Sequence, residues 1–163
     1  MKAVLTTIVL ACSTLLLPAA SAPSVGQALP KLTDLLPDAK LPATSGKVVL
    51  VDFWASWCAP CEASFPCMTR LHDKYSAKGL VIIGIGVDEE VANYKTFAAK
   101  QKVTFTLAYD GSHKAAAFFN PSTMPGSYLV DRKGKIRFIH KGFKKATTEP
   151  EYIKEIETLL VES

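Results

Sequence analysis

The amino-acid sequence predicts an α/β fold of three layers, in which helices cover both faces of a central mixed β-sheet. Two runs of apolar and β-branched residues, 47–54 and 80–87, are typical of strands buried on both faces. Segments with apolar residues at helical spacing alternate with these runs, and a hairpin signal precedes the last of them. This order of elements favours an α/β sandwich, which we expect as one domain over residues 47–163.

The elements follow in order from composition and periodicity. Residues 23–46 are rich in proline and short polar residues, and predict an irregular arm with one short strand at most. The run "KVVLVDFW" at 47–54 predicts the first strand of the domain, and "LVIIGIGV" at 80–87 predicts the second. Residues 58–77 between them predict a helix, because apolar side chains recur every three or four positions, at Cys61, Phe65, Met68, Leu71 and Tyr75.

A second helix is expected to begin after Asp88, whose side chain can cap its N-terminus, and to extend to about Gln101. Its predicted apolar face comprises Val91, Tyr94, Phe97 and Ala98. The next predicted elements are a strand at 104–109, a helix at 112–119, and two strands at 128–130 and 136–140. The turn signal "DRKG" joins those two strands. Thr148 and Glu151 form a capping box that predicts the start of a final helix, which runs to the end of the chain.

Residues 1–22 are predicted to direct export rather than to join the fold. One lysine precedes an uncharged apolar run, and residues 18–22 end in the small-residue pattern of a signal peptidase site. Because Pro23 would follow the cut, two alternatives stay open: acylation at Cys12, or retention of residues 3–22 as a membrane anchor. In each case the domain lies outside the cytoplasm, and the bacterial periplasm is the expected compartment.

The overall composition excludes several classes of function. The chain has 163 residues, of which 48% are hydrophobic and 21% charged, so it can bury an ordinary core without disulfides. Its net charge of +4 is spread without runs of lysine or arginine, and no nucleic-acid or membrane-surface partner is predicted. Its 4 cysteines are too few for a disulfide framework in a chain of this length.

Two cysteines, Cys58 and Cys61, stand where the first predicted strand gives way to a helix. Unpaired backbone N–H groups and the helix dipole at a helix start stabilise a thiolate, which makes Cys58 the better nucleophile. Cys61, almost one turn further on, is within disulfide reach but less exposed. Pro60 between them is tolerated in a first helical turn, where its missing N–H has no partner to lose. The pair can therefore cycle between dithiol and disulfide.

The segment "VDFWASWCAPC", followed by Pro66, resembles the active-site segment of the thioredoxin superfamily. With its predicted export, the chain is similar to the TlpA/ResA-like branch of extracytoplasmic thiol-disulfide oxidoreductases. Residues 124–136, "MPGSYLVDRKGKI", resemble the cis-proline loop, strand and hairpin of the same family. The likeness covers residues 47–162, and it implies a thioredoxin-like sandwich with a redox-active site.

The resemblance implies a role for each residue of these motifs. Cys58 would attack a disulfide and Cys61 would resolve the mixed disulfide, so that protein disulfides or thiols are the substrates. No cofactor is implied beyond the disulfide of the pair itself. The substrate-binding residues would be Trp57, Pro60, Met124 and Pro125, the last as the cis-proline. The branch also favours the reductase direction, a membrane thiol-electron donor as partner, and a monomer.

Asp52 interrupts an otherwise apolar strand. A carboxylate buried there would be costly unless it were protonated or paired. The position matches the buried acid of thioredoxins, and a buried aspartate with a raised pKa could exchange a proton with Cys61 through water. We therefore predict a catalytic role for Asp52. The alternative is a satisfied polar group at the end of a strand.

Three departures from the family limit what can be carried over. Ser64 stands where this branch often has glutamate. The lysine that thioredoxins place on the next strand is absent, and its position falls near Gly84. The sequence "NPSTM" before Pro125 lacks the Gly-Ala-Pro-Glu signature of cytochrome c maturation reductases, so that pathway is not predicted.

Other functions of a cysteine pair would require additional residues or a different motif. A zinc site needs two further ligands, and His72, His113 and His140 lack ligand spacing. A peroxidase would have a lone cysteine in a P-x-x-x-T/S-x-x-C pattern, which is missing around Cys58. The main alternative is a copper(I)-handling module, because two thiolates and Met124 form a soft ligand set.

Cys67 is the odd cysteine of the chain if Cys12 is removed. Along a helix it would stand roughly 9 Å beyond Cys61, whereas a disulfide needs its Cα atoms within about 7 Å. Pro66 precedes it and is expected to bend the helix. We therefore expect Cys67 to be a buried packing residue with no redox role.

Overall fold

A computed structural model describes residues 22–162. The predicted leader, apart from its last residue, and the proposed acylation at Cys12 lie outside the described residues. Within residues 22–162, none of the helices has the length and apolar character needed to cross a membrane.

Five strands form one mixed sheet with the order β3-β2-β1-β4-β5. They are β1 (Val48–Trp54), β2 (Leu80–Gly86), β3 (Thr106–Tyr109), β4 (Gly126–Val130) and β5 (Ile136–Lys141). β1 runs parallel to β2, and β2 runs parallel to β3, whereas β4 is antiparallel to both β1 and β5. Every residue of the central strand β1 is buried, which is why its sequence is almost continuously apolar.

The helices lie on both faces of this sheet. They are α1 (Leu32–Leu35), α2 (Ala59–Tyr75), α3 (Val91–Gln101), α4 (Lys114–Phe119) and α5 (Lys145–Val161). Alternate residues of β1 point to opposite faces. Leu50 and Trp54 pack in one core with residues of α2, α3 and α5, while Val51 and Phe53 pack in a second core with residues of α1 and α4. The predicted three-layer sandwich with a central mixed sheet is therefore confirmed.

The N-terminal arm is more ordered than the sequence suggested. It contains the short helix α1, and Leu32 and Leu36 are buried in the core on the α4 side of the sheet. Ahead of α1, Ala28 forms an antiparallel bridge with Lys135. The backbone of Ile136 also exchanges hydrogen bonds of 2.7 and 2.9 Å with the arm. A helix of 4 residues is too short to show a periodic pattern, so the prediction of an irregular arm missed it.

The predicted starts of α3 and α5 are both wrong. Glu90 is the N-cap residue of α3, because the Asp88 carboxylate is occupied by hydrogen bonds from Ser56. Lys144 is the N-cap residue of α5, and Thr148 lies inside the helix. The Thr148 hydroxyl accepts a hydrogen bond of 3.0 Å from the Lys144 N–H, so it stabilises the helix start from within.

Smaller differences occur at other boundaries. β3 and α4 each begin two residues later than predicted, and β4 begins two residues earlier. Phe97 of α3 is buried as predicted, but Val91 is 40% exposed because it lines a surface groove instead. The predicted hairpin between β4 and β5 is present, and the Asp131 side chain accepts hydrogen bonds of 2.9 Å from the backbone of Lys133 and of Lys135.

Candidate redox site

Cys58 and Cys61 form a disulfide at the junction of β1 and α2, with their Cα atoms 5.3 Å apart. Cys58 is the N-cap residue of α2, and its Sγ accepts a hydrogen bond of 3.3 Å from the Cys61 N–H. Cys61 is fully buried, whereas Cys58 keeps 5% of its surface exposed. A negative charge on the Cys58 sulfur would therefore be stabilised by the helix start, and this sulfur is the one that solvent can reach.

The loop that leads into Cys58 is held by a side chain that the sequence did not identify. Both carboxylate oxygens of Asp88 accept hydrogen bonds from the Ser56 N–H, at 3.0 and 3.1 Å, and the Ser56 hydroxyl donates at 2.5 Å. The Cys58 N–H donates to the Ala55 carbonyl at 3.1 Å, which closes a turn in the same loop. Asp88 is 1% exposed, so this link between the ends of β1 and β2 is shielded from water.

The predicted substrate-binding residues lie at different levels of burial. Trp57 is 72% exposed, Pro60 is exposed, Met124 is half-buried and Pro125 is buried. The peptide bond between Met124 and Pro125 is cis, as the resemblance implied. Pro60 and Met124 line one groove of about 580 Å³, and Trp57 is not part of its lining. Contact of these residues with substrate stays a prediction.

The groove beside Pro60 and Met124 carries charged side chains on its far wall. Its remaining lining includes Lys141, Lys144, Glu151, His140, Ile139 and Phe143. The His140 ring lies 2.7 Å from Glu155 and 3.7 Å from Glu151, so both glutamates face the imidazole. Within residues 22–162, neither of the two lysines forms an ion pair. The groove therefore presents unpaired positive charge close to the disulfide.

Asp52 lies on the face of β1 that packs against α2 and α5, between Leu50 and Trp54, and it is 2% exposed. Ser127, its partner in the antiparallel register, donates a hydrogen bond of 2.5 Å to Asp52 Oδ1. Burial raises the pKa of Asp52 to about 7, and the hydrogen bond from Ser127 opposes this rise. The carboxyl group is thus poised to change protonation near neutral pH, as a catalytic role would require.

The positions that depart from the family also have structural explanations. Gly84 is the β2 neighbour of Asp52, and a Cβ added there would lie 2.8 Å from Leu107 and 3.2 Å from Trp54. The space of the missing lysine is therefore filled by apolar side chains. Ser64 is fully buried, and its hydroxyl donates a hydrogen bond of 2.7 Å to the Cys61 carbonyl.

Cys67 is a free, buried thiol with 1% of its surface exposed, which confirms the expectation of a packing residue. Burial is the main cause that raises the pKa of this thiol to about 12, and the Glu149 carboxylate adds to it. Helix α2 continues through Pro66 to its end at Tyr75. Cys67 therefore stays protonated and has little nucleophilic character at neutral pH.

Metal ligands do not cluster in the part of the chain that the structure describes. No group of three or more histidine, cysteine, aspartate or glutamate side chains there could hold a metal ion. Two further polar residues belong to the site, however. Ser127 and Tyr152 approach Asp52, and neither stood out in the sequence, because a serine in a strand and a tyrosine at apolar helix spacing are typical of packing.

A model of the AhpC/TSA family matches residues 22–139, which include β1 to β4, the cysteine pair and Asp52. The chain belongs to the AhpC/TSA family. The match extends into β5 and therefore covers the whole sheet except the end of that strand.

Several curated relatives of this AhpC/TSA family member are named thiol-disulfide oxidoreductase ResA. The thiol-disulfide oxidoreductase ResA of Bacillus thuringiensis subsp. konkukian is 34% identical over 111 residues, which are 68% of this chain and 64% of the relative. The protein of the same name from Geobacillus kaustophilus is 31% identical over 125 residues, 75% of this chain and 72% of the relative. The predicted TlpA/ResA-like resemblance is confirmed, although the chain spans less than two thirds of the first relative's length.

Solved structures give the same fold. A candidate thiol:disulfide interchange protein DsbE from Chlorobium tepidum superimposes with a TM-score of 0.75 at 32% identity, covering 86% of this chain and 99% of the other. A candidate protein disulfide isomerase from Bacteroides thetaiotaomicron superimposes with a TM-score of 0.72 at 27% identity, covering 85% and 91%. The sandwich of this AhpC/TSA family member is therefore thioredoxin-like, as predicted.

Proposed function

We propose that this protein is an exported thiol-disulfide oxidoreductase that reduces disulfides of other proteins through Cys58 and Cys61. The observation that carries the proposal is the disulfide at the N-terminus of α2, whose outer sulfur accepts the Cys61 N–H. Among the cysteines of residues 22–162, Cys58 combines some exposed surface with a position that stabilises negative charge on its sulfur. The names of the relatives support the same activity.

The reaction runs in two exchange steps. The Cys58 thiolate of the reduced protein attacks one sulfur of a substrate disulfide, forms a mixed disulfide and releases the other substrate sulfur as a thiolate. Cys61 then loses its proton and attacks the Cys58 sulfur, so that the Cys58–Cys61 disulfide forms and the second substrate thiolate leaves. Two electrons pass from the pair to the substrate. A dithiol donor must reverse this chemistry to reset the protein, and we propose a membrane thiol-electron carrier for that role.

Asp52 is the proposed acceptor of the Cys61 proton in the second step. Its side chain lies on the face of β1 whose neighbouring residues pack in one core with Cys61. A carboxyl group with a pKa of about 7 has a proton affinity close to the working pH, which is the best match for proton transfer at neutral pH. Because Asp52 and Cys61 are both buried, we propose that a single bridging water carries the proton between them.

Substrate contact is assigned to the residues around the outer sulfur. Trp57, next to Cys58 in the sequence, offers exposed apolar surface, and Pro60 and Met124 line a separate groove. Met124 lines this groove, and we propose that an extended substrate segment pairs with its backbone as an added strand.

We also propose that the protein works in the reductase direction, that it is exported and that it is a monomer. Similar cysteine pairs span redox potentials of about −120 to −270 mV, so measuring the potential of this pair distinguishes a reductant from an oxidant. The apolar leader and small-residue cleavage pattern of residues 1–22 support a position outside the cytoplasm. Cleavage, anchoring and acylation at Cys12 all remain compatible with that position.

The decisive experiment is reduction of insulin with dithiothreitol as the electron donor. The wild-type protein should accelerate the reaction, and Cys58→Ser should abolish the acceleration. Cys67→Ala provides the matched control, since it removes a thiol that is buried and outside the pair. Full activity of Cys58→Ser would contradict the proposal.

Copper(I) handling is the second candidate, with Cys58, Cys61 and Met124 as ligands. It is favoured by the position of Met124 on the same groove as Pro60, the residue between the two cysteines. Titration of the reduced protein with copper(I) tests it directly. Tight binding in a 1:1 ratio, lost in Met124→Leu and accompanied by no insulin reduction, would replace the oxidoreductase proposal.

A further inference from the structure

The polar surroundings of Asp52 come from one side of the sheet only. On the β2 side its neighbour is Gly84, and the space above that glycine is occupied by Trp54, Phe105 and Leu107. Gly84 therefore offers no side chain to the carboxyl group. On the β4 side its neighbour is Ser127, which is fully buried and donates the hydrogen bond to Asp52 Oδ1.

A second buried hydroxyl lies behind Ser127. Tyr152 of α5 is fully buried, and its hydroxyl donates a hydrogen bond of 2.7 Å to Ser127 Oγ. Ser127 has a single hydroxyl proton, which is used in the 2.5 Å bond to Asp52. An ionised Asp52 carboxylate can only accept, so in that state both bonds run from Tyr152 through Ser127 to Asp52. Within residues 22–162, the carboxyl oxygen Oδ2 has no hydrogen-bond partner.

The hydrogen-bonded series from Tyr152 through Ser127 to Asp52 consists of neutral donors. It therefore differs from a salt bridge. A buried cation beside Asp52 would hold the carboxylate ionised. A serine hydroxyl can donate to Oδ1 whether the carboxyl group is ionised or protonated, so it fixes the side chain in both states. The Tyr152 hydroxyl polarises the serine hydroxyl, and such chained bonds strengthen one another in a site of low dielectric constant.

Few charged or titratable groups surround the hydrogen-bonded series of Tyr152, Ser127 and Asp52. α2 contributes the Cys67 thiol, whose pKa the Asp52 carboxylate helps to raise, and the pair member Cys61. α5 contributes Tyr152, whose pKa is raised chiefly by burial. The surrounding charged side chains are more distant and closer to the surface: Arg70, Glu149, Glu155 and His140.

We propose that Ser127 and Tyr152 are positioning residues, which hold Asp52 by Oδ1 and leave Oδ2 oriented for proton exchange with Cys61 during release of the mixed disulfide. The inference rests on the proposed function and deepens it. Ser127 and Tyr152 touch neither substrate nor the reacting sulfurs, and they act through Asp52. They give Asp52 neutral partners on the β4 side of the sheet, opposite Gly84.

The test uses Tyr152→Phe, which removes one oxygen and keeps the ring that packs edge-on against His140. The carboxyl titration of Asp52 is followed by NMR of protein labelled with ¹³C in its aspartate side chains, with Asp52→Asn identifying the signal. Loss of the polarising hydroxyl should raise the titration midpoint by about half to one pH unit, a three- to tenfold increase in proton affinity. Ser127→Ala should raise it further, because it removes the direct bond.

The same variants are then followed by rapid mixing with a disulfide-bonded peptide. Formation of the mixed disulfide should keep its rate, while its release at pH 7 should slow about three- to tenfold, with a pH profile displaced upward by the same amount as the titration. In the Asp52→Asn background, Tyr152→Phe should have no further effect on release. Tyr75→Phe is the matched control, since its hydroxyl donates to Glu157 in a partly buried bond that does not involve Asp52.

The titration of Asp52 and the release of the mixed disulfide test different parts of the proposal. An unchanged titration midpoint in both Tyr152→Phe and Ser127→Ala would overturn the proposal, and this readout is independent of any reductase activity. A displaced midpoint without any change in release would overturn the part that concerns proton exchange. If the wild-type protein reduces no disulfide at all, the proposed function fails, while the titration still shows whether the two hydroxyls control Asp52.

Discussion

Asp88 accepts hydrogen bonds from both the backbone N–H and the side-chain hydroxyl of Ser56, two residues before Cys58. The link joins the end of β2 to the loop after β1, although the two residues are 32 positions apart in the sequence. The loop that carries Trp57 and leads into Cys58 is therefore fixed by a buried carboxylate rather than by its own sequence.

Asp88→Ala should loosen this loop. It leaves the partly buried Ser56 N–H without its acceptor, so we expect a loss of about 1–3 kcal/mol in the free energy of unfolding, together with slower attack by Cys58. Urea unfolding and insulin reduction measure the two effects. Ser56→Ala removes only the hydroxyl bond and should cost less. Wild-type rates and stability in Asp88→Ala would show that the link has no function.

Cys61→Ser should trap the protein on its substrate. The variant keeps the attacking thiolate of Cys58 but lacks the sulfur that resolves the mixed disulfide. Non-denaturing separation followed by mass spectrometry should find a covalent adduct with a disulfide-bonded peptide. The double variant with Cys58→Ser should give none. Adducts that map to Cys67 instead would contradict the assignment of the attacking residue.

Asp52→Asn should remove a pH dependence of stability. Burial raises the pKa of Asp52 from 3.8 to about 7. Between these values the folded state holds a proton that the unfolded state has lost, so the free energy of unfolding falls as pH rises through this window and stays low above it. At about 1.4 kcal/mol per pKa unit, Asp52→Asn should stabilise the protein by at most about 4 kcal/mol at pH 8 and by little at pH 4. Urea unfolding at both pH values measures the difference; equal gains at the two would argue against it.

Cys67→Ala should leave the insulin-reduction rate and the redox potential unchanged. The thiol is buried and lies outside the disulfide pair, so only packing is lost, at a cost of at most about 1–2 kcal/mol. Thiol labelling of the reduced native protein should modify Cys58 quickly and Cys67 slowly. Rapid labelling of Cys67 would show that α2 opens more readily than its burial indicates.

The unpaired lysines of the groove should favour acidic substrates. With Lys141 and Lys144 facing the space beside Pro60, a disulfide-bonded peptide carrying glutamates next to its cysteine should react faster than one carrying glutamines. Lys144→Gln should reduce this preference about two- to fivefold at low salt, and added salt should reduce it in the wild type. Lys154→Gln, at an exposed position of the same helix, is the control. A preference that survives Lys144→Gln and high salt would exclude the groove as its cause.

The bounds of β1 and β2 could be predicted because burial on both faces determines their composition. A strand buried on both faces must be apolar throughout, so β1 and β2 were located to within one residue at each end. Helix starts were less predictable, because a capping side chain can be engaged elsewhere. Asp88 bonds to Ser56, and Thr148 bonds back to Lys144 from inside α5, although both resemble N-caps in the sequence.

The residues of the candidate site also differ in how far the sequence predicted them. The cysteine pair and Asp52 are visible in the sequence, since a carboxylate in an apolar strand and two cysteines at a helix start are unusual. Ser127 and Tyr152 are not, because the role of a hydroxyl depends on what it faces across the fold. Tyr152 lies 100 positions from Asp52, and only the packing of α5 on the sheet brings them together.

The pairing of the N-terminal arm with β5 also bears on how the protein behaves at high concentration. β5 is an edge strand, and an uncovered edge offers its N–H and C=O groups to any neighbouring chain as a template for growth. The bridge between Ala28 and Lys135, with the bonds to Ile136, occupies those groups at the start of the strand. The arm thus covers the start of this edge and leaves fewer backbone groups there for pairing with a second copy of the protein.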